Sequence, residues 1–209
     1  MTDVLRRIRI QGKRQPIFSV LFVAANFLVF IGELISRYDL VSAGGLEREA
    51  VMVQHQYWRL LTAMFLHTDT SHLCNNMIIV LFLGAMLERE VGHIWFFCIY
   101  LLSGVGGNVV SLIRKVIEGS DALSLGASGA AYGLDGLLLA LVLLVPAFRR
   151  NIPPARVLLM ILLSLYAGFS AQNIDNAAHV GGLIIGFLLG MICALFQNIR
   201  VKRHREVAM

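Results

Sequence analysis

The chain has 209 residues, 57% of them apolar and only 15% charged, with a formal net charge of +5 and a mean hydropathy of +0.74. Soluble domains average ~45–50% apolar and ~25% charged, so this balance excludes a disordered chain, a collagen-like or coiled-coil rod and an ordinary water-facing globule. The positive charge then reads as basic residues sorted to one side of a membrane, not as a nucleic-acid footprint.

A helix that crosses the ~30 Å hydrocarbon core needs roughly 20 apolar residues, with ~17 as a lower bound. Residues 1–16 are a basic N-terminus carrying Arg6, Arg7, Arg9, Lys13 and Arg14. The first span runs from about Ile17 to Ile35. It is as long as a full crossing and no small-residue cleavage site follows it, which predicts an uncleaved span and not a signal peptide. Residues 37–71 are the one long loop. Its Tyr57, Trp58 and the apolar run from Leu60 to Leu66 predict a structured element lying in the outer interface. The second span, about His72 to Leu87, is short and begins with His72, Asn75 and Asn76. The third, Ile94 to Ile113, contains Gly104, Gly106, Gly107 and Asn108; the fourth runs from about Gly126 to Val145. The fifth, Val157 to Ala171, follows the helix-initiating pair Pro153–Pro154, and the sixth, Ala177 to Phe196, repeats glycine at Gly182, Gly186 and Gly190. Residues 199–209 form a basic tail. Continuous apolar runs without strict alternation favour helices over a barrel wall. The expectation is an all-α membrane protein, a six-transmembrane-helix bundle over residues 17–198.

Six spans put both termini on one side, together with the loops near Arg89 and at Arg149–Arg156. That side collects thirteen of the 18 Lys and Arg; Arg37, Arg48, Arg59, Arg114 and Lys115 fall on the other. The positive-inside rule places both termini in the cytoplasm. Cys74, Cys98 and Cys193 lie far apart inside apolar runs, which argues against a disulfide framework or a cysteine metal site.

Polar side chains inside spans are expensive and face the bundle interior or water. Spans two, four and six all run inward from the outer face, so their first residues share a depth. His72 and Asn76, four apart and on one helical face, open span two. Ser128, between Gly126 and Gly129, opens span four, and His179 opens span six. All four fall roughly 5–10 Å below the outer surface at 1.5 Å rise per residue. Gly129 and Gly133, and Gly182, Gly186 and Gly190, form small-residue stripes of the kind that let membrane helices approach closely. Packing those stripes together brings Ser128 within hydrogen-bond reach of His179, the nucleophile–base geometry of acyl transfer. Each part taken alone has a plainer reading, as helix packing, as a serine bonded to its own turn or as a proton-relay histidine. Their coincidence at one depth is what points to a site. Below that depth, spans four and six read as apolar, which speaks against a through-path for a transported solute.

These residues resemble the rhomboid family of intramembrane serine proteases, and the likeness covers nearly the whole chain. Gly126-Ala127-Ser128-Gly129 is similar to the family's GxSG motif, with Tyr132 four residues after the serine. Ala178-His179, followed by Gly182 and Gly186, is similar to its AHxxGxxxG motif. His72 through Asn76 fits HxxxN, and His67, Trp58-Arg59 and Glu88 also fall where the family has them. The resemblance implies proteolysis of single-span membrane proteins within or beside their spanning helices, with the lipid bilayer as the other partner. Ser128 would be the nucleophile and His179 the general base, in a dyad without a carboxylate, with Tyr132 packing the imidazole in place. The Ser128 N–H, His72 and Asn76 would stabilise the oxyanion, with Gly126, Gly129 and His67 in support. Glu88 and Arg59 read as structural, Trp58 as an interfacial anchor, and Asn75, rotated ~100° from Asn76, as structural. No cofactor, metal or nucleic acid is implied, since no His-Glu-x-x-His pair is present. The competing functions are a non-proteolytic rhomboid-like binder of membrane helices and a small transporter. A plain six-span core with basic ends suggests a prokaryotic cytoplasmic membrane.

Overall fold

An apolar helix that begins in mid-chain must find partners for its first N–H groups, and helix α1 (Phe18–Ile35) finds them on another helix. In the computed structural model, which describes residues 14–171 and 174–206 and side chains as far as Phe196, the fully buried Glu88 carboxylate accepts the N–H groups of Ile17, Phe18 and Ser19 and the Ser19 hydroxyl at 2.8–3.0 Å. His93 Nδ1 lies 2.6 Å from the same carboxylate. One carboxylate thus caps α1 and ties it to the far end of span two. Arg6, Arg7, Arg9 and Lys13, and the side chains of Arg200, Lys202, Arg203 and Arg205, lie outside the described residues.

The long loop expected at 37–71 is folded. It holds α2 (Leu40–Gly44), capped by Asp39, then α3 (Arg48–Met52) and α4 (Arg59–Thr62), which runs into a 3₁₀ turn at Ala63–Phe65. Buried Arg59 organises it, donating from Nη1 to the carbonyls of Ser42 and Gly45 and from Nε to Gln56. Trp58 beside it is 57% exposed. A small core of Leu46, Val51, Ala63 and Leu112 seals the loop against the bundle.

The remaining helices are α5 (Thr70–Val91), interrupted by a π-helical turn at Val80–Gly84, α6 (His93–Glu118) and α7 (Ser128–Leu144). They are followed by α8 (Pro146–Asn151), α9 (Pro154–Ser170) and α10 (Asn176–Glu206). Helices α1, α5, α6 and α10 are long and apolar enough to cross a bilayer; α7 and α9 are shorter apolar helices. Among the described residues there is no strand, only a bridge between Leu46 and Ser124. The all-α membrane bundle stands. Short α8 was not expected from the sequence; Pro146 at its first position starts it within what read as a plain loop.

Helix α7 is buried almost all round, as a helix surrounded by others must be. The two glycine stripes meet as backbone on backbone. A Cβ on Gly182 would stand 2.0 Å from the Gly129 carbonyl, and one on Gly186 2.0 Å from the Gly133 carbonyl. Gly107 of α6 closes against the Ala178 carbonyl in the same way. Helix α10 is therefore wedged between α6 and α7, and its first turn is held at the height of the first turn of α7.

Candidate active site

The wedge delivers a pair. Ser128 Oγ lies 2.9 Å from His179 Nε2. With Nε2 accepting the hydroxyl proton, Nδ1 carries the ring's own hydrogen, and Nδ1 has no hydrogen-bond partner among the described residues. The imidazole is held by packing instead. The Tyr132 ring stacks on it, with centroids 4.3 Å apart and planes 21° from parallel. Ser164 of α9 in turn donates to the Tyr132 hydroxyl at 2.8 Å, so the stack is braced from the neighbouring helix.

The other half of the site comes from α5 and the loop before it. Asp69 caps α5 by accepting the His72 N–H at 2.9 Å, which fixes where His72 and Asn76 stand one turn apart. Both meet Gly126. A Cβ at that position would lie 2.7 Å from His72 Nε2 and Cε1 and 3.6 Å from Asn76 Nδ2. Gly126 also has φ +120, a conformation that suits glycine alone. Its N–H is pinned to the Ala63 carbonyl at 2.8 Å. Behind Asn76, buried His67 lies with Nε2 at 3.2 Å from Asn76 Nδ2. Burial, with His72 alongside, holds the His67 imidazole down at about 4. The neutral ring accepts from the amide and fixes its direction. His67 and His72 share no helical face, yet their rings meet edge-on at 5.0 Å because His67 lies in the loop.

The structure therefore gathers Ser128, His179, His72, Asn76, Tyr132, His67, Gly126 and Gly129 at one end of the bundle. Asn75 is left exposed on the outside of α5. Two nearby groups were not singled out from the sequence. Asp175 is the N-cap of α10: its Oδ1 accepts the Ala178 N–H at 3.2 Å, its Oδ2 accepts the Ser111 hydroxyl, and its carbonyl receives the His179 N–H. Burial would raise its carboxyl, but the Ser111 and Ser124 hydroxyls, the Ala178 N–H and the Lys115 ammonium hold it below the usual range. An aspartate three residues before an alanine at a helix start was the available signal. The second is Asp135, which breaks the expectation that span four is apolar beneath the cluster. It is 6% exposed in the middle of α7. One carboxylate barely lowers the mean hydropathy of so leucine-rich a run.

Chemically, this arrangement offers a hydroxyl paired with an imidazole and, across from it, a second imidazole and an amide converging on a side-chain-free backbone. Residues 54–196 match the family model described as the rhomboid domain. The chain is 36% identical over 158 residues to RHOMBOID-like protein 2 of Arabidopsis thaliana, covering 75% of this chain and 49% of that protein. It is 33% identical over 177 residues to Rhomboid protease GluP of Bacillus subtilis (83% and 34%), and 37% identical over 175 residues to RHOMBOID-like protein 7 of Arabidopsis thaliana (83% and 55%). The match thus spans from a third to just over half the length of these relatives.

Proposed function

The chain belongs to the rhomboid family, and from that premise we propose that this integral membrane protein is a serine endopeptidase acting on peptide bonds in or next to the spanning helices of other membrane proteins. The observation that carries the reading is the 2.9 Å approach of Ser128 Oγ to His179 Nε2. Ser128 Oγ attacks the scissile carbonyl while Nε2 takes its proton, and the same proton goes to the departing amine as the C–N bond breaks. Water then hydrolyses the acyl-enzyme with His179 again as base. The negative oxygen of each tetrahedral intermediate is stabilised by the Ser128 N–H, the His72 imidazole and the Asn76 amide, preorganised around Gly126. Stacking on Tyr132 does the orienting that a carboxylate does in a triad.

The substrate is a single-span protein whose helix unwinds near its outer end, because a hydrogen-bonded helix hides its carbonyls. The membrane is a prokaryotic cytoplasmic one, with residues 17–198 as the catalytic bundle and both basic termini in the cytoplasm. Purified protein given a fluorogenic single-span substrate tests this. Wild type is expected to cut, and Ser128→Ala and His179→Ala to lose cutting. His72→Ala and Asn76→Ala are each expected to lose ~10²–10³-fold in rate. Cutting by Ser128→Ala equal to wild type overturns the reading, and binding without cutting by wild type favours the non-proteolytic binder.

A further inference from the structure

The acyl-transfer chemistry leaves Asp135 unused. It lies within the run Leu134-Asp135-Gly136-Leu137, 6% exposed, and no side-chain hydrogen bond or ion pair to it is found among the described residues. An ionisable group inside a span is expensive and is retained where it meets a partner or lines a functional path.

Its place on α7 tells where such a partner arrives. Asp135 is seven residues after Ser128, which puts it about 10 Å deeper and within ~20° of the same bearing around the helix. Gly136 presses on Leu183 and Phe187 of α10 and Gly133 on Ser103 of α6; the Ser128–Tyr132–Asp135 face lies beside these contacts, its upper end meeting His179. Tyr132, midway along it, bonds to Ser164 of α9. Helix α9 is thinly held: its buried residues are Val157 and Ile161. On the other flank, α5 turns Ile79 and Phe82 outward, 36% and 70% exposed. A chain laid across Ser128 and continuing toward the membrane centre runs down this face.

We propose that Asp135 is a substrate-recognition residue, taking a basic or amide side chain that the substrate's membrane segment carries deeper in the bilayer than the scissile bond. The proposal rests on the proteolytic reading above. About 10 Å corresponds to three residues of extended chain at ~3.3 Å each or seven of helix at 1.5 Å. The partner therefore lies three to seven residues from the cut, on the side toward the membrane centre. Its chemistry is that of lysine, arginine, asparagine or glutamine, each of which gives a carboxyl group a donor.

The test uses the full chain in liposomes and a model single-span substrate with a leucine tract below the cut. At each of these positions leucine is replaced in turn by asparagine or lysine. Wild type is expected to prefer the polar substrate at one or two adjacent positions by roughly 5- to 30-fold in kcat/KM, the range of interhelical hydrogen bonds in membranes. In Asp135→Leu that ratio is expected to collapse toward one, and in the isosteric Asp135→Asn to keep the asparagine preference while losing the lysine one. A ratio unchanged in Asp135→Leu, or a wild type without preference at any position, overturns the proposal. The same helices are titrated, fluorescently labelled, against Ser128→Ala and Ser128→Ala/Asp135→Leu. This affinity ratio needs no chemistry, so it decides for Asp135 even where failure of wild type to cut refutes the protease.

Discussion

Gly126 keeps open the space into which His72 and Asn76 project, and His67 keeps the Asn76 amide aimed there. The support depends on protonation. An unfolded histidine titrates near 6.5, whereas buried His67 is held at about 4. As pH falls below 6.5 the unfolded chain takes up a proton that the folded one refuses. The contribution of His67 to stability is therefore full above 6.5 and drains away between 6.5 and about 4. At 1.36 kcal/mol per pKa unit the loss is of order 3 kcal/mol. The unfolding midpoint in detergent is expected to fall across that window, and His67→Gln, which never charges but whose amide oxygen can accept from Asn76, is expected to flatten the slope. An identical slope in His67→Gln would show that another group is responsible. The motif residues were legible because each is a polar side chain against apolar sequence. The His67–Asn76 contact was not, since it joins a loop to a helix across a distance that no periodicity reports.

Elements set the dyad's geometry more than the dyad does. The glycine stripes were legible at four-residue spacing, and their consequence, first turns of α7 and α10 at one height, follows from carbonyls that leave no room for a Cβ. What spacing could not show is what stops α10 from sliding or fraying at its start. Asp175 does that, joining the α10 cap to Ser111 of α6 and to Ser124 in the loop that leads to Ser128. Losing a cap costs about 1 kcal/mol, and losing hydrogen bonds to a buried charge adds a similar or larger amount. Asp175→Ala is expected to lower stability by about 2 kcal/mol and, by loosening the first turn that carries His179, to reduce kcat roughly tenfold to a hundredfold. Asp175→Asn, which keeps the cap, is expected to fall between. Thermal unfolding and kinetics on the same preparations check both, and full activity in Asp175→Ala would leave α10 positioned by its glycines alone.

For the molecule as a whole, the bundle has two chemically different ends. At the site end, Arg48 pairs with Asp121 at 2.9 Å, Arg114 with Glu118 at 2.8 Å, Arg59 binds loop carbonyls and Lys115 donates to the Ala122 carbonyl. Those cations are spent on structure. At the opposite end, Glu88 meets the start of α1 and a Cβ on Gly92 would touch Arg14, which brings Arg14 beside the end of α5 that carries Arg89. Exposed Arg149 and Arg150 sit in the last turn of α8. Pairing reinforces the imbalance read from the sequence, because on the minority side Arg48, Arg59, Arg114 and Lys115 are bonded and Arg37 is left exposed, while Arg14, Arg89, Arg149 and Arg150 on the other side are exposed. By the positive-inside rule we propose from this asymmetry that the basic end lies in the cytoplasm, with the site open to the outer aqueous phase that hydrolysis needs. In a background with Cys74, Cys98 and Cys193 replaced by serine or alanine, a membrane-impermeant maleimide added to intact cells is expected to label Asp121→Cys and to leave Arg150→Cys unlabelled until the membrane is permeabilised. The reverse pattern would place Ser128 and His179 on the cytoplasmic side and require substrates to be cut at their inner ends.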